Sequence, residues 1–168
     1  MAIIDTVAEH FRYLVGREAE RELGDLTALA IKRYALTVGD HNPLYYDREH
    51  ARSEGHADVV APPNMLPSII EWGTGAAEEE LRPDGNSPSD DLIPLGDLEG
   101  VRVMGGGEEM TFHEPVTAGT RIKLTSRIID AYTKEGKKGP LAFLVFENVY
   151  SDIEGRALCT CKRTLIAR

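Results

Sequence analysis

From Val101 onward the chain reads as four strand-length runs, Val101 to His113, Arg121 to Lys134, Leu141 to Asp152 and Ala157 to Ile166. Turn formers stand between them at Gly119, Gly136 to Pro140 and Asp152 to Gly155, which predicts antiparallel neighbours. Before Val101 the apolar spacing is helical. Helices first and long strands afterwards predict an α+β domain in which one antiparallel sheet covers a central helix. The 168 residues fit a single domain spanning 1–168, and a hydrophobic content of 42% suffices for a core without disulfides or metals. No internal repeat is found.

Val7, Phe11, Leu14 and Val15 recur at helical spacing and predict a short amphipathic helix over Asp5 to Val15. Asp25 or Thr27 caps a second helix with an apolar face of Leu29, Ile31, Tyr34, Ala35 and Val38, and Gly39 stops it. Asp47 begins a helical turn through Glu49, Ala51 and Arg52 that Gly55 closes. Pro62 and Pro63 suit the entry of a third, largely buried helix running towards Trp72. The stretch from Ala77 to Gly100 is acidic and rich in Pro, Gly, Ser and Asp. It is expected to be an exposed loop without a core, with one helical turn in Glu78 to Leu81.

A net charge of -9 argues against a nucleic-acid partner, because phosphate binding demands a basic face. Cys159 and Cys161 alternate within a strand pattern, so both face one side, unbridged, as small apolar residues in a reducing cytosol. No apolar run approaches the ~18 residues of a membrane span, and the acidic N-terminal stretch is unlike a signal peptide. The expectation is a cytoplasmic protein with no nucleic acid or membrane as partner.

The functional reading centres on Gly39-Asp40-His41-Asn42-Pro43-Leu44-Tyr45-Tyr46-Asp47. Asp40 can polarise water or orient a proton, Asn42 can tie the loop to its own backbone, and Pro43 stops the helix and stiffens the residues after it. The plain structural reading of the same residues is a helix stop followed by an Asx turn. Tyr45 and Tyr46 can equally be packing residues.

Taken with Ala61-Pro62-Pro63, Gly105-Gly106-Gly107-Glu108, Phe112-His113-Glu114-Pro115-Val116, Gly119 and Ser151-Asp152 to Gly155, this loop resembles the MaoC-like hydratases and dehydratases, in the branch called the MaoC dehydratase N-terminal domain. The resemblance covers nearly the whole chain. It implies a hot-dog fold: a strongly curved antiparallel sheet wrapped round the helix beginning near Pro63, paired with a second such sheet. It further implies acyl thioesters of coenzyme A or acyl carrier protein as substrates and reversible syn addition of water to a trans-2-enoyl group. Coenzyme A enters as part of the substrate, and no separate cofactor is implied. Active members are similar in carrying Asp-x-Asn-Pro-x-His. Asp40 and Asn42 match that pattern, and Tyr45 stands in the place of the histidine.

Hydrating an enoyl thioester requires a base for water, an acid for the α-carbon and donors for the charge gathering on the thioester oxygen. A tyrosine hydroxyl, which titrates near ~10, is a poor base at neutral pH. The expected catalytic set is therefore Asp40 and Asn42, with Tyr45 orienting water or donating a proton. Backbone N–H groups at Asn64, Met65 and Leu66 are natural oxyanion donors at a helix start, and Trp72 is core or acyl-tunnel wall. His41 and His56 are alternative imidazoles, while His113 suits a surface or interface role. His10 and His50 suit solvated helix faces, and no pair has metal-ligand spacing, so no metal is expected. Gly105 to Gly107 predicts a bulge in the first long strand rather than a phosphate loop. Arg121, Arg127, Lys134, Lys137 and Lys138 are candidates to meet coenzyme A phosphates, with a solvated hairpin as the plainer reading for the lysines.

The functional expectation is a subunit of a heteromeric (R)-type enoyl-CoA hydratase or 3-hydroxyacyl-thioester dehydratase. A second hot-dog subunit, in a heterodimer or heterotetramer, would supply the full catalytic pair. The alternatives are a self-sufficient homodimeric hydratase using Asp40 and a non-catalytic acyl-CoA binding module.

Overall fold

The computed structural model describes residues 3–70, 77–81, 92–93, 95, 98 and 100–168. In chain order these form α1 (Ile3–Leu14), β1 (Glu18–Asp25), α2 (Ala28–Val38), α3 (Arg48–Ser53), β2 (Val103–Phe112), β3 (Arg121–Gly136), β4 (Gly139–Asp152) and β5 (Ala157–Ala167). Short 3-10 turns occupy Pro43–Tyr45 and Glu78–Glu80. One antiparallel sheet runs in the order β1-β3-β4-β5-β2.

The four strand runs legible in the sequence are β2 to β5. The turn at Gly119 does not make a hairpin, however, because β2 crosses over to pair with β5 and leaves β3 between β1 and β4. Gly106 is the extra residue of the expected bulge: the register shifts between Gly105 and Gly107, and a Cβ at Gly106 would lie 2.8 Å from Ile166 Cγ1.

β1 was not legible as a strand. Its sequence, Glu-Ala-Glu-Arg-Glu-Leu-Gly-Asp, has almost no apolar alternation. It joins the sheet as a charged edge, with Glu20 bonded to Lys123 Nζ at 3.1 Å and Glu22 to Arg121 at 3.1 Å. Edges of this kind discourage further strand pairing.

Along β4, Ala142, Leu144, Phe146, Asn148 and Tyr150 are buried in strict alternation, so one face carries the core. Tyr150 belongs to a cluster with Ile122, Leu124, Cys159, Cys161, Met65 and Leu66, which seats the start of the central helical segment on the sheet. That segment is a π-helical turn, Leu66–Ile70, in which Pro67 has no N–H to offer. The expected continuation to Trp72 lies outside the described residues. Cys159 and Cys161 are both buried and not joined in a disulfide, as their alternation implies.

Toward the other end of the sheet, Ile128, Ala142, Leu144 and Phe146 meet Ile4, Val7, Ala8, Phe11 and Leu14 of α1. Val15 departs from the expected apolar face, because α1 ends at Leu14 and leaves it exposed. Ile93, Leu95 and Leu98 are buried in this same cluster, which corrects the expectation of a coreless loop from Ala77 to Gly100. The polar residues around them hid three apolar side chains at short spacing. His10 is also corrected: its ring is half-buried and bonds the Leu95 carbonyl oxygen through Nε2 at 2.9 Å, fastening α1 to that stretch.

Thr27, not Asp25, caps α2, accepting the Ala30 N–H at 3.1 Å. Of the predicted apolar face of α2, Ile31 and Ala35 are fully buried and Tyr34 half-buried, whereas Leu29 and Val38 are exposed. A helix packed by a narrow stripe leaves its flanking apolar positions in solvent. Among the described residues no helix is long and apolar enough to cross a membrane.

Candidate functional site

Gly39 ends α2 in the left-handed conformation, φ 72°, which a side chain would oppose. Its N–H bonds Leu36 O at 3.2 Å, and the Asp40 N–H bonds Ala35 O at 3.0 Å. Two consecutive Asx turns come next. Asp40 Oδ1 accepts the Asn42 N–H at 3.0 Å, and Asn42 Oδ1 accepts the Leu44 N–H at 3.1 Å. The Tyr46 hydroxyl donates to Asp40 O at 2.6 Å and closes the loop from the other side. Asp47 then caps α3 through the N–H groups of Glu49 and His50. The polar side chains singled out in the sequence thus first build the loop, and Asp40 stands exposed at its start.

Tyr45 is the buried member of the loop, at 7% exposure. Burial, and then the negative charge of Asp40, push its hydroxyl pKa above the ordinary value of 10.0, while a hydrogen bond with the Asn42 side chain opposes them. The structure therefore brings Asp40, Asn42 and Tyr45 together. It also holds the proton on Tyr45, so that the phenol can donate but cannot serve as a base near neutrality.

Tyr45 is also a wall of a cleft of about 350 Å³. The other walls are Leu44 beside it, His56, and three further stretches, Val60 to Pro63 with Leu66, Phe112 to Val116, and Leu158 with Cys159. Backbone bonds fix these stretches together: Val60 N–H to Leu44 O at 2.9 Å, Ala61 N–H to Val116 O at 2.7 Å and His113 N–H to Leu158 O at 2.9 Å. The lining is mainly apolar, with Tyr45, His56, His113 and Glu114 as its polar groups. This is the composition of a small-molecule site.

Asp40 and Asn42 are not among the cleft walls and reach it only through Tyr45. Of the expected substrate-binding residues, Leu66 lines the cleft, and Met65 is fully buried in the core behind it. Asn64 is exposed, and its carbonyl oxygen accepts the Ser68 hydroxyl at 2.7 Å. The Met65 N–H donates to Pro62 O at 2.9 Å, which removes it from the expected oxyanion donors. Trp72 lies outside the described residues.

None of the basic residues proposed for coenzyme A phosphates lines the cleft. Arg121 pairs with Glu22 and Asp25, and Lys134 sits over the stacked rings of Tyr132 and Phe143. His113, read as a surface or interface residue, is exposed but faces the cleft, with Nε2 2.9 Å from Thr160 Oγ1. In the sequence Glu114 stands out only as part of a motif. Here it stands on the cleft and pairs with Arg156 at 3.4 Å, and Arg156 in turn is held by Asp152 at 2.9 Å. Among the described residues no group of His, Cys, Asp and Glu can hold a metal ion.

Residues 13–161 match the family described as FAS1-like, dehydratase domain region. A UPF0336 protein of Saccharopolyspora erythraea is 30% identical over 156 residues, covering 93% of this chain and 82% of that protein. A UPF0336 protein of Streptomyces griseus is 35% identical over 116 residues, 69% of this chain and 61% of its own length. The 3-oxo-4,17-pregnadiene-20-carboxyl-CoA hydratase alpha subunit of Mycobacterium tuberculosis is 31% identical over 101 residues, 60% of this chain but 31% of that subunit. Among solved structures, the ChsH1-ChsH2 complex from Mycobacterium tuberculosis matches with a TM-score of 0.72 at 21% identity, covering 97% of this chain and 91% of that one. The HadBC (3R)-hydroxyacyl-ACP dehydratase complex of the same organism matches at 0.68 and 15%, covering 91% and 96%. The MaoC-like dehydratase of Rhodospirillum rubrum gives 0.62 at 17%, covering 90% of each chain. At these identities the structural likeness speaks for the fold, and the fold is the hot-dog.

Proposed function

The chain belongs to the FAS1-like dehydratase-region family, and from that premise we propose that it is a subunit of a heteromeric (R)-type enoyl-thioester hydratase or 3-hydroxyacyl-thioester dehydratase. Its substrates are acyl thioesters of coenzyme A or acyl carrier protein, and a second hot-dog subunit supplies the base. The observation that carries this reading is Tyr45: the group in the place of the family's imidazole is buried, and its proton is held more tightly than in free tyrosine. A group in that state cannot take a proton from water at neutral pH.

In this account the partner's Asp and His activate water, its oxygen bonds to the β-carbon, and a proton goes to the α-carbon. The electron pair of the broken C=C bond gathers towards the thioester oxygen before that protonation and needs donors there. This chain contributes the cleft wall, the neutral Tyr45 hydroxyl as donor and the Asp40–Asn42 turns that hold it. Two of the similar structures, ChsH1-ChsH2 and HadBC, are complexes of two different subunits, which supports the same arrangement here. Buried thiols without a disulfide fit a reducing cytoplasm.

A self-sufficient homodimer draws support from one feature, the two imidazoles of His56 and His113 on the cleft. Assaying trans-2-enoyl-CoA hydration with the chain alone and with a co-encoded hot-dog protein carrying Asp-x-Asn-Pro-x-His separates the readings. Turnover by the chain alone that falls on His56→Ala or His113→Ala supports the homodimer. Turnover only with the partner supports the heteromer.

A further inference from the structure

α2 has two faces. Ile31 and Ala35 are fully buried in the core, whereas Leu29, Lys32, Arg33 and Leu36 are all exposed, the two leucines at 56% and 54%. Spaced i, i+3, i+4 and i+7, these four form one ridge about 10 Å long on the side turned away from the core. A single exposed leucine is ordinary, but two leucines bracketing two cations make a mixed basic and apolar surface. Elsewhere exposed cations are matched within the chain: Arg48 with Asp58, Arg121 with Glu22, Arg156 with Asp152 and Arg163 with Glu108. α2 itself has no acidic residue, and Asp25 and Asp40, the carboxylates before and after it in sequence, serve Arg121 and the Asn42 N–H. Among the described residues no ion pair engages Lys32 or Arg33, so a chain of net charge -9 keeps two unmatched cations on this ridge. The ridge also leads to the cleft. α2 ends in the loop whose Asp40 carbonyl oxygen accepts the Tyr46 hydroxyl at 2.6 Å, and the residues before Tyr46, Leu44 and Tyr45, are cleft walls.

Resting on the reading of this cleft as an acyl pocket, we propose that the ridge of Leu29, Lys32, Arg33 and Leu36 is the docking surface for an acyl carrier protein. The occupant has to be acidic to match Lys32 and Arg33, and it has to bring apolar side chains to cover Leu29 and Leu36. Acyl carrier proteins are small, acidic and helical, which supplies both features. Of the proteins that the acyl-pocket reading requires, the second hot-dog subunit is expected against the sheet, whereas a carrier has to stand beside the cleft while its arm is inside.

The test is calorimetric titration of the full chain with a bacterial acyl carrier protein, once in its apo form without the arm and once carrying a saturated hexanoyl group, with hexanoyl-CoA as a third ligand. Apo carrier is expected to bind, less tightly as salt rises. Lys32→Glu with Arg33→Glu should weaken it about tenfold or more, and Leu29→Ser with Leu36→Ser should weaken it too. Lys32→Arg with Arg33→Lys should keep it, as should Lys137→Glu with Lys138→Glu at the β3–β4 turn. No binding of either carrier form, or equal binding by the wild type and the Lys32→Glu, Arg33→Glu variant, overturns the docking surface, and hexanoyl-CoA binding in that case leaves the acyl pocket standing. Carrier that binds through α2 equally well with and without its hexanoyl arm supports the docking surface and contradicts the acyl pocket. Sedimentation of the same proteins covers the other occupants. A wild-type dimer, or a complex with the hot-dog partner, that the Lys32→Glu, Arg33→Glu variant fails to form assigns the ridge to that protein and overturns the proposal.

Discussion

The Asp40 carboxylate lies close enough to the Tyr45 hydroxyl for its charge to help hold the proton there. The folded state therefore binds this proton more tightly than the unfolded chain, so Tyr45 contributes stability that is present below the unfolded value near 10.0 and lost as pH rises through the higher folded value. Urea denaturation across the alkaline range should show wild type losing stability more steeply than Tyr45→Phe. At neutral pH the same substitution should cost about 1 kcal/mol, the net value of the bond with Asn42. Parallel alkaline limbs in the two proteins would show that Tyr45 is not the group responsible.

Asp152 is expected to set part of the acid limb. The backbone N–H of Arg156, then the Arg156 guanidinium and the Glu154 N–H, hold its carboxyl below the ordinary 3.8, against the opposing effect of burial. Stability from this group is present above the unfolded value and disappears as pH falls through the folded one. Thermal melts from neutrality down to about pH 3 should therefore show Asp152→Asn less stable than wild type at neutral pH, with the difference shrinking in acid. A constant difference across the range would contradict the assignment.

Gly39→Ala tests the placement of the Asp40 loop. With φ at 72° a Cβ costs about 1 kcal/mol. Gly39→Asn should cost less, because Asn tolerates this conformation. Equilibrium denaturation of the two variants ranks them, and an alanine variant as stable as wild type would remove the geometric argument.

Phe11 anchors α1 in the cluster that includes Leu95, Leu144 and Phe146, fully buried. Phe11→Ala should cost ~3–5 kcal/mol, whereas His10→Ala, losing one bond to Leu95 O, should cost about 1 kcal/mol. Denaturant midpoints give the order, and the reverse order would mean that α1 is held by its polar clasp.

The long strands, the helix stops at Gly39 and Gly55 and the bulge at Gly106 were legible because each obeys a local rule of spacing or backbone conformation. β1 was not, since its place depends on Lys123 and Arg121, about a hundred residues away, to satisfy its carboxylates. Ile93, Leu95 and Leu98 were hidden by the polar residues around them, although their short spacing was visible. The loop from Asp40 to Tyr45 was readable as a candidate site, but the cleft was not. Its walls range from Leu44 to Cys159, and the crossover of β2 to β5 brings His113 and Glu114 beside Leu158.

Whether this chain shapes the pocket while another subunit supplies the base is decided by the rate of trans-2-enoyl-CoA hydration by the purified chain, before and after adding a hot-dog partner with an intact Asp-x-Asn-Pro-x-His loop. The chain alone should give no turnover, and the pair should give turnover that is abolished when the partner's histidine is replaced. Turnover by the chain alone that Asp40→Asn abolishes would contradict it.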